Sequence, residues 1–439
     1  MKRLLHVLLP LGLFVIIFGL GQYHSQRRGA SYRFGSQNSL WWYLALTALH
    51  IVANYVAGLP DEPQDVQPAA MSAVLSSISA TAAFSLLQVV VPGLLPRFVV
   101  TGAGLLSAPW AFSCSLILVY GERRRRSRDR VLAIVSPADQ LTLSVDADRS
   151  FPLPEIGFTL VGFVDPAASA GVDINELAGR LDPTVVVLSE EAQQNEGVVA
   201  VASALHVRGV RVRSMTLFCD EWLGKLPLSE LGPMALMFDI GDLHRSHYVH
   251  VKRIVDFLGG LLGCLFVLVL SPVIAIFNLA GNRGPLFFFQ TRTGLGGVPF
   301  RMVKFRTMMV SGEENEPMWT ASNDARVTSF GGILRRSHID ELPQMWNVLR
   351  GELSLVGPRP EQPLVVRDLE TKVPFFGFRH VARPGITGWA QVKYGYAASE
   401  ADAIEKLQYD LYYLRHQSLT LDLRILSRTA RSVLLRRGR

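Results

Sequence analysis

Two adjacent carboxylates, Asp340 and Glu341, stand in the segment Leu334-Arg335-Arg336-Ser337-His338-Ile339-Asp340-Glu341-Leu342-Pro343-Gln344. Proline fits the first turn of a helix and not its interior, so Pro343 predicts a helix start with Asp340 near the N-cap. A helix N-terminus favours anions, which puts a phosphate within reach of the carboxylate. Consecutive helix residues do not face the same way, so the two do not read as a matched acid–base pair. Different roles fit better: one carboxylate attacks phosphorus, and the other holds a divalent cation or orients the first. Taken alone, an Asp-Glu at a helix start is an ordinary charged cap.

The flanking segments change that balance. Arg292, Lys304, Arg306, Arg326, Arg335, Arg336, Arg359 and Arg383 crowd around the pair in sequence. Arginine's planar fork suits bidentate phosphate binding, and several forks suit a diphosphate. Many of these cations sit in turn-forming contexts: Gly357-Pro358-Arg359-Pro360, Arg383-Pro384-Gly385 and Gln290-Thr291-Arg292-Thr293-Gly294. Glycine and proline around a charged side chain predict geometry held for a ligand. A merely solvated basic surface would not need such turns.

The elements that position these residues are partly membrane-like. The chain of 439 residues is 49% hydrophobic and 18% charged, against a usual charged fraction of about 25%. Apolar runs at Leu4–Leu20, Leu40–Leu59, Met71–Val91 and Phe98–Tyr120 each approach the ~20 residues that span a bilayer. They predict a four-helix membrane bundle over 1–122. The basic cluster Arg123–Arg126, with Arg128 and Arg130, marks a cytoplasmic edge, although Arg27, Arg28 and Arg33 argue the other way. A net charge of +7 points to membrane lipids with anionic headgroups and to phosphorylated substrates, and not to nucleic acid. The scattered Cys114, Cys219 and Cys264 build neither a disulfide framework nor a zinc site.

Over 131–245, short apolar runs at Val131–Val135, Thr159–Val164, Thr184–Leu188 and Val210–Arg213 alternate with helical stretches such as Val198–Val207. That alternation predicts a small Rossmann-like α/β module with a parallel sheet. The turn after Val135, Ser136-Pro137-Ala138-Asp139, lacks the glycines that let a backbone approach a pyrophosphate. The module therefore reads as structural or regulatory. A further apolar run, Phe257–Leu279, carries Ser271-Pro272, where a sharp break is expected. It is either a kinked span or a helix-break-helix hairpin. The stretch Leu419–Arg439 has the pattern of a basic amphipathic helix, either lying in a membrane interface or capping a domain.

Read in order, Gln290–Gly294, Lys304-Phe305-Arg306-Thr307-Met308, Asp324-Ala325-Arg326-Val327-Thr328, Ile339–Gln344, Asn347–Pro360 and Arg383–Val392 resemble the motifs of one family. These are the bacterial sugar transferases: polyprenyl-phosphate hexose-1-phosphate transferases, or monotopic phosphoglycosyl transferases. The layout is similar to the long members that initiate exopolysaccharide or O-antigen synthesis. The resemblance implies a mainly α-helical catalytic domain over 250–439, with a re-entrant membrane helix at 253–280 broken at Ser271 and Pro272. It implies Asp340 as the nucleophile that takes sugar 1-phosphate from a UDP-hexose, releases UMP, and passes the group to undecaprenyl phosphate. Glu341 would be the carboxylate associated with Mg²⁺. Lys304, Arg306, Arg335, Arg359 and Arg383 would hold phosphates, with Gln391 near the nucleotide. It further implies the bacterial inner membrane, a catalytic domain facing the cytoplasm, and a homodimer through the N-terminal part. The alternatives are a non-catalytic membrane scaffold or sensor of polysaccharide assembly, against which the intact Asp340-Glu341 pair speaks, and a nucleotide-sugar dehydrogenase or epimerase, whose dinucleotide fingerprint is absent.

Overall fold

The computed structural model describes residues 2–28, 37–59, 66–91, 94–125, 129–148, 158–167, 174–232, 246–281, 284–309, 326–394 and 400–434. Arg33, Arg126, Arg128, Asp324, Arg436 and Arg437 lie outside them. The protein is mostly helical and divides into two compact units, Met1–Ser127 and Arg128–Arg439.

The first unit is built from helices α1 (Lys2–Arg28), α2 (Gln37–Val56), α3 (Val66–Val90) and α4 (Arg97–Arg125). Small residues let them approach closely: any side chain at Gly12 would run into the Trp110 ring, whose indole N–H donates to Leu9 O at 3.2 Å. Buried polar side chains pair between helices, Ser76 donating to Asn54 at 3.1 Å and Ser77 meeting Ser107 at 2.9 Å. Among the described residues, four helices are long and apolar enough to cross a membrane: Leu5–Arg27, Ala69–Val90, Arg97–Leu118 and Tyr248–Leu279. They mark a membrane protein. The α2 helix forms as expected but is not among the four, because Trp41, Trp42, Tyr43, His50 and Asn54 dilute its apolar character.

The second unit opens with strands β1 (Asp129–Ile134), β2 (Phe158–Val164), β3 (Val185–Leu188) and β4 (Arg211–Ser214). All pair in parallel, in the order β2-β1-β3-β4, with helices in the connections. Alternate residues serve opposite faces: Val131, Ala133, Val185 and Val187 join one core, while Leu132, Ile134, Val186 and Leu188 join another. This is the predicted small parallel layer. A long helix, Ser246–Gly281, follows; it stays helical through Ser271-Pro272. Helical bonding thus continues past Pro272, which removes one N–H and crowds the carbonyl of the preceding turn.

Beyond it lie an antiparallel hairpin, β5 (Phe287–Thr293) with β6 (Pro299–Phe305), and a short parallel pair, β7 (Ser354–Val356) with β8 (Gly385–Thr387). Helices Glu400–Arg415 and Leu419–Leu434 close the C-terminal core. The apolar face of the last helix, Leu421 and Ile425, points into that core. Of the two readings of its pattern, it is therefore a domain-capping helix.

Candidate active site

Lys304 is held in place by two neighbouring constraints. Its strand pairs residue by residue with β5. On the other side, Asn347 accepts from Val303 N at 3.1 Å and donates to Arg301 O at 2.8 Å, stitching helix Met345–Arg350 to β6. The same helix is the continuation of a 3-10 helix, Ile339–Gln344, that carries both carboxylates. Asp340 is therefore not the cap of an α-helix. The cap is His338 in the left-handed region (φ 56°), and the α-helix starts only after Pro343, which has no N–H for an i→i−4 bond.

Glu341 is clamped. Lys304 Nζ and Arg359 Nη2 each donate to its Oε1 at 2.9 Å. Burial alone would raise its pKa, but the charges of Arg359 and Lys304 outweigh that and hold it well below the ordinary glutamate range. Lys304 is lowered by its own burial, against the attraction of Glu341. Asp340 is different. It is 9% exposed, and no described residue donates a hydrogen bond to its carboxylate. Burial and the Glu341 charge push it up to about 6, resisted by Lys304, Arg335 and His338. The site thus pairs a carboxylate held ionised by two cations on one oxygen with one to which no described residue donates. An uncommitted carboxylate among cations can act as a nucleophile toward phosphorus.

Arg335 reaches the site from helix Ser329–Arg336, its Nε donating to Thr307 Oγ1 at 3.0 Å. That helix lies directly on the end of β6: a Cβ on Gly331 would come within 1.9 Å of Thr307 O. Arg359 is delivered by the loop after β7, where a Cβ on Gly385 would sit 2.1 Å from Gly357 N, so only glycines allow the two backbones to pack. Of the predicted residues, the structure joins Lys304, Arg335 and Arg359 to the two carboxylates. Arg306 is buried with its guanidinium against Gly284. Arg383 and Gln391 flank β8, Gln391 Nε2 donating to Ile386 O at 3.2 Å. Arg383 Nε and Gln391 Oε1 are buried there without a hydrogen-bond partner.

Sequence reasoning assigned no role to Arg379 and Asp410. Arg379 Nη2 donates to Asp410 Oδ2 at 2.8 Å and to Arg359 O at 2.9 Å, in a nearly sealed environment. It therefore fixes the backbone from which Arg359 reaches Glu341. Arg292, one of the cations crowding the pair in sequence, bonds Gln290 and Pro360 O, tying the hairpin to the Arg359 loop. The only available signal for Arg379 was its place four residues before Arg383.

Among the described residues no group of three or more His, Cys, Asp or Glu could hold a metal ion. Magnesium needs less, since one or two carboxylates with phosphate oxygens and water suffice. Both clamp bonds fall on Oε1 of Glu341, which leaves Oε2 as an oxygen donor beside Asp340, so the residues fit such an ion.

The sequence profile described as bacterial sugar transferase matches residues 247–436. A UDP-N-acetylgalactosamine-undecaprenyl-phosphate N-acetylgalactosaminephosphotransferase of Aeromonas hydrophila is 41% identical over 260 residues, 58% of this chain and 60% of that protein. A UDP-glucose:undecaprenyl-phosphate glucose-1-phosphate transferase of Escherichia coli K12 is 39% identical over 62% of this chain and 61% of its own length. One of the same description from Caulobacter vibrioides is 37% identical over 49% of this chain and 83% of its own length. The chain spans about 60% of the Aeromonas and Escherichia proteins and 83% of the Caulobacter protein. With its ordered motifs, its Asp340-Glu341 pair among cations and these relatives, the chain belongs to the bacterial sugar transferase family.

Proposed function

We propose that the protein transfers hexose 1-phosphate from a UDP-hexose to undecaprenyl phosphate through an intermediate on Asp340, initiating an exopolysaccharide or O-antigen at the inner membrane. The observation that carries this reading is the uncommitted Asp340 carboxylate beside a Glu341 already neutralised by Lys304 and Arg359. The names of the relatives support the two substrates.

In the first step an Asp340 oxygen attacks the sugar-bound phosphorus. The bond to the bridging oxygen breaks and UMP leaves with that electron pair, so no proton need be delivered at neutral pH. Lys304, Arg335 and Arg359 face the negative charge of the diphosphate, and their fixed positions supply the stabilisation without reorganisation. A Mg²⁺ ion held by Glu341 Oε2 and the diphosphate would supply further charge neutralisation. In the second step the acceptor's phosphate oxygen attacks the same phosphorus, and the Asp340 carboxylate leaves.

A monotopic placement is supported by the contacts of the long helix. Near its start, Arg253 donates to Val348 O and Leu349 O at 2.7 Å, and Asp256 accepts from Ser354 and Leu355. Near its end, Asn278 donates to Gly284 O and Phe277 stacks on Phe330. A helix seated at both ends on one domain keeps that domain on one side of the bilayer, and UDP-sugars require that side to be cytoplasmic.

Purified protein given a UDP-hexose panel and Mg²⁺ should release UMP and carry a phosphosugar adduct on Asp340, found by mass spectrometry. Asp340→Asn should lose at least about a thousand-fold in rate. Undiminished turnover by that variant would remove Asp340 from the reaction.

A further inference from the structure

One face of the β5–β6 hairpin carries a feature that the chemistry at Asp340 does not use. Directly opposed residues of an antiparallel pair share a face, and alternate residues line it. Phe288 lies opposite Lys304, and Arg306 N donates to Leu286 O at 3.0 Å, which sets Leu286 opposite Arg306. The face therefore bears Phe288 alongside Lys304, and Leu286 stands just before the strand, opposite the buried Arg306. At the next alternate position Gln290 ends the apolar row, its side chain taken up by Arg292. On the opposite face Phe287 stacks on Phe305 and Phe289 lies under Arg301. Phe288 is 40% exposed, between Phe287 at 37% and Phe289 at 51%, and of the three it alone shares the face of Lys304.

The apolar row is continuous with the membrane-type helix. Leu286 packs on the cluster of Ile274, Phe305 and Leu334, as do Val267 and Leu270 of that helix and Ile339. Ile339 is bonded directly to Asp340. An apolar path thus leads from the long helix to the edge of the cation row, where it ends in an uncovered aromatic ring. A nucleotide sugar can stack its base on a single ring but has no extended apolar chain to follow such a path. An amphiphile with a phosphate at one end matches both rows.

We infer that Leu286 and Phe288 seat the isoprene units next to the phosphate of the polyprenyl-phosphate acceptor, with Lys304 addressing that phosphate. The inference rests on the reaction proposed above. From this seat the acceptor oxygen forms its new P–O bond as the Asp340–phosphorus bond breaks. The phosphomonoester dianion needs no base.

The test separates the half-reactions in the full-length protein. UDP-hexose alone should give a burst of UMP, and acceptors of decreasing length (undecaprenyl phosphate, citronellyl phosphate, methyl phosphate) should then discharge the adduct. Phe288→Ser should raise KM for the two isoprenoid acceptors on the order of ten-fold, with the donor burst intact and methyl phosphate discharge unaltered. Phe288→Leu should restore most of the loss. An unchanged isoprenoid KM would overturn the inference and leave the ring as a contact with bulk lipid. A burst that falls together with acceptor affinity would overturn it too, by tying the ring to the donor or to folding. A wild-type protein that gives no burst strikes the covalent reaction itself, whatever Phe288 does.

Discussion

Burying a carboxylate without a hydrogen-bond donor disfavours its charged form, and at Asp340 a second carboxylate adds to the effect. The group titrates near 3.8 when free and near 6 in the folded chain. The folded state therefore favours the protonated form. Its stabilising contribution is complete below the free value and lost as pH rises through 6. Asp340→Asn abolishes this titration. In metal-free buffer without donor, the variant should exceed the parent in stability at pH 7.5 by roughly 3 kcal/mol. The gap should vanish near pH 4, and paired thermal melts at the two pH values would measure it. A gap of equal size at both would mean that charge is not what strains this site. Glu341 carries no such strain, because two cations meet it.

At the scale of elements, the site depends on close approaches that only glycine permits. Helix Ser329–Arg336 delivers Arg335 only because Gly331 lies against the Thr307 carbonyl. Gly331→Ala must push the helix off the strand, and overpacking of this kind costs about 2 kcal/mol or more. Gly332 provides the control, since nothing lies within 4 Å of its added Cβ. Gly332→Ala should be neutral or slightly stabilising, because alanine is the better helix former by about 1 kcal/mol. Melting temperatures of the two variants, with the UMP burst as a second readout, test the contrast. Similar behaviour of the pair would mean that the helix has room to move.

At the scale of the second unit, the α/β module and the C-terminal domain share one buried charge centre. Lys225 Nζ lies 2.7 Å from Asp146 and 2.8 Å from Glu405, with its side chain 1% exposed. Burial opposes its charge, but the two carboxylates prevail and raise its pKa. Around it, Gly224 O accepts from Trp389 Nε1 at 2.7 Å, Leu226 N donates to Gln408 O, and Leu226 and Leu231 fill the C-terminal core. The end of the module is thus a structural part of the domain that holds Asp340. Lys225→Met strands two buried carboxylates and should destabilise by about 3–5 kcal/mol. Adding Asp146→Asn and Glu405→Gln should recover much of it, read from chemical denaturation of the three proteins. No recovery would assign the loss to packing of the lysine stem.

How far the sequence carries can be judged from particular residues. The strand segments around Val131–Arg213, the apolar helices and the Asp340-Glu341 pair among arginines were all legible, because hydrophobic period and turn chemistry are local properties. The 3-10 geometry at Asp340 was not legible, since a proline near a helix start is compatible with either helix. Nor was the choice of Lys304 and Arg359 as the clamp on Glu341, the service of Arg379 and Asp410 behind it, or the burial of the last helix's apolar face. These are pairings between residues distant in the chain. They follow from the closing of β7 on β8 and the docking of β6 on the Asp340 turn, and no spacing in a linear sequence records which distant cations such closures will bring together.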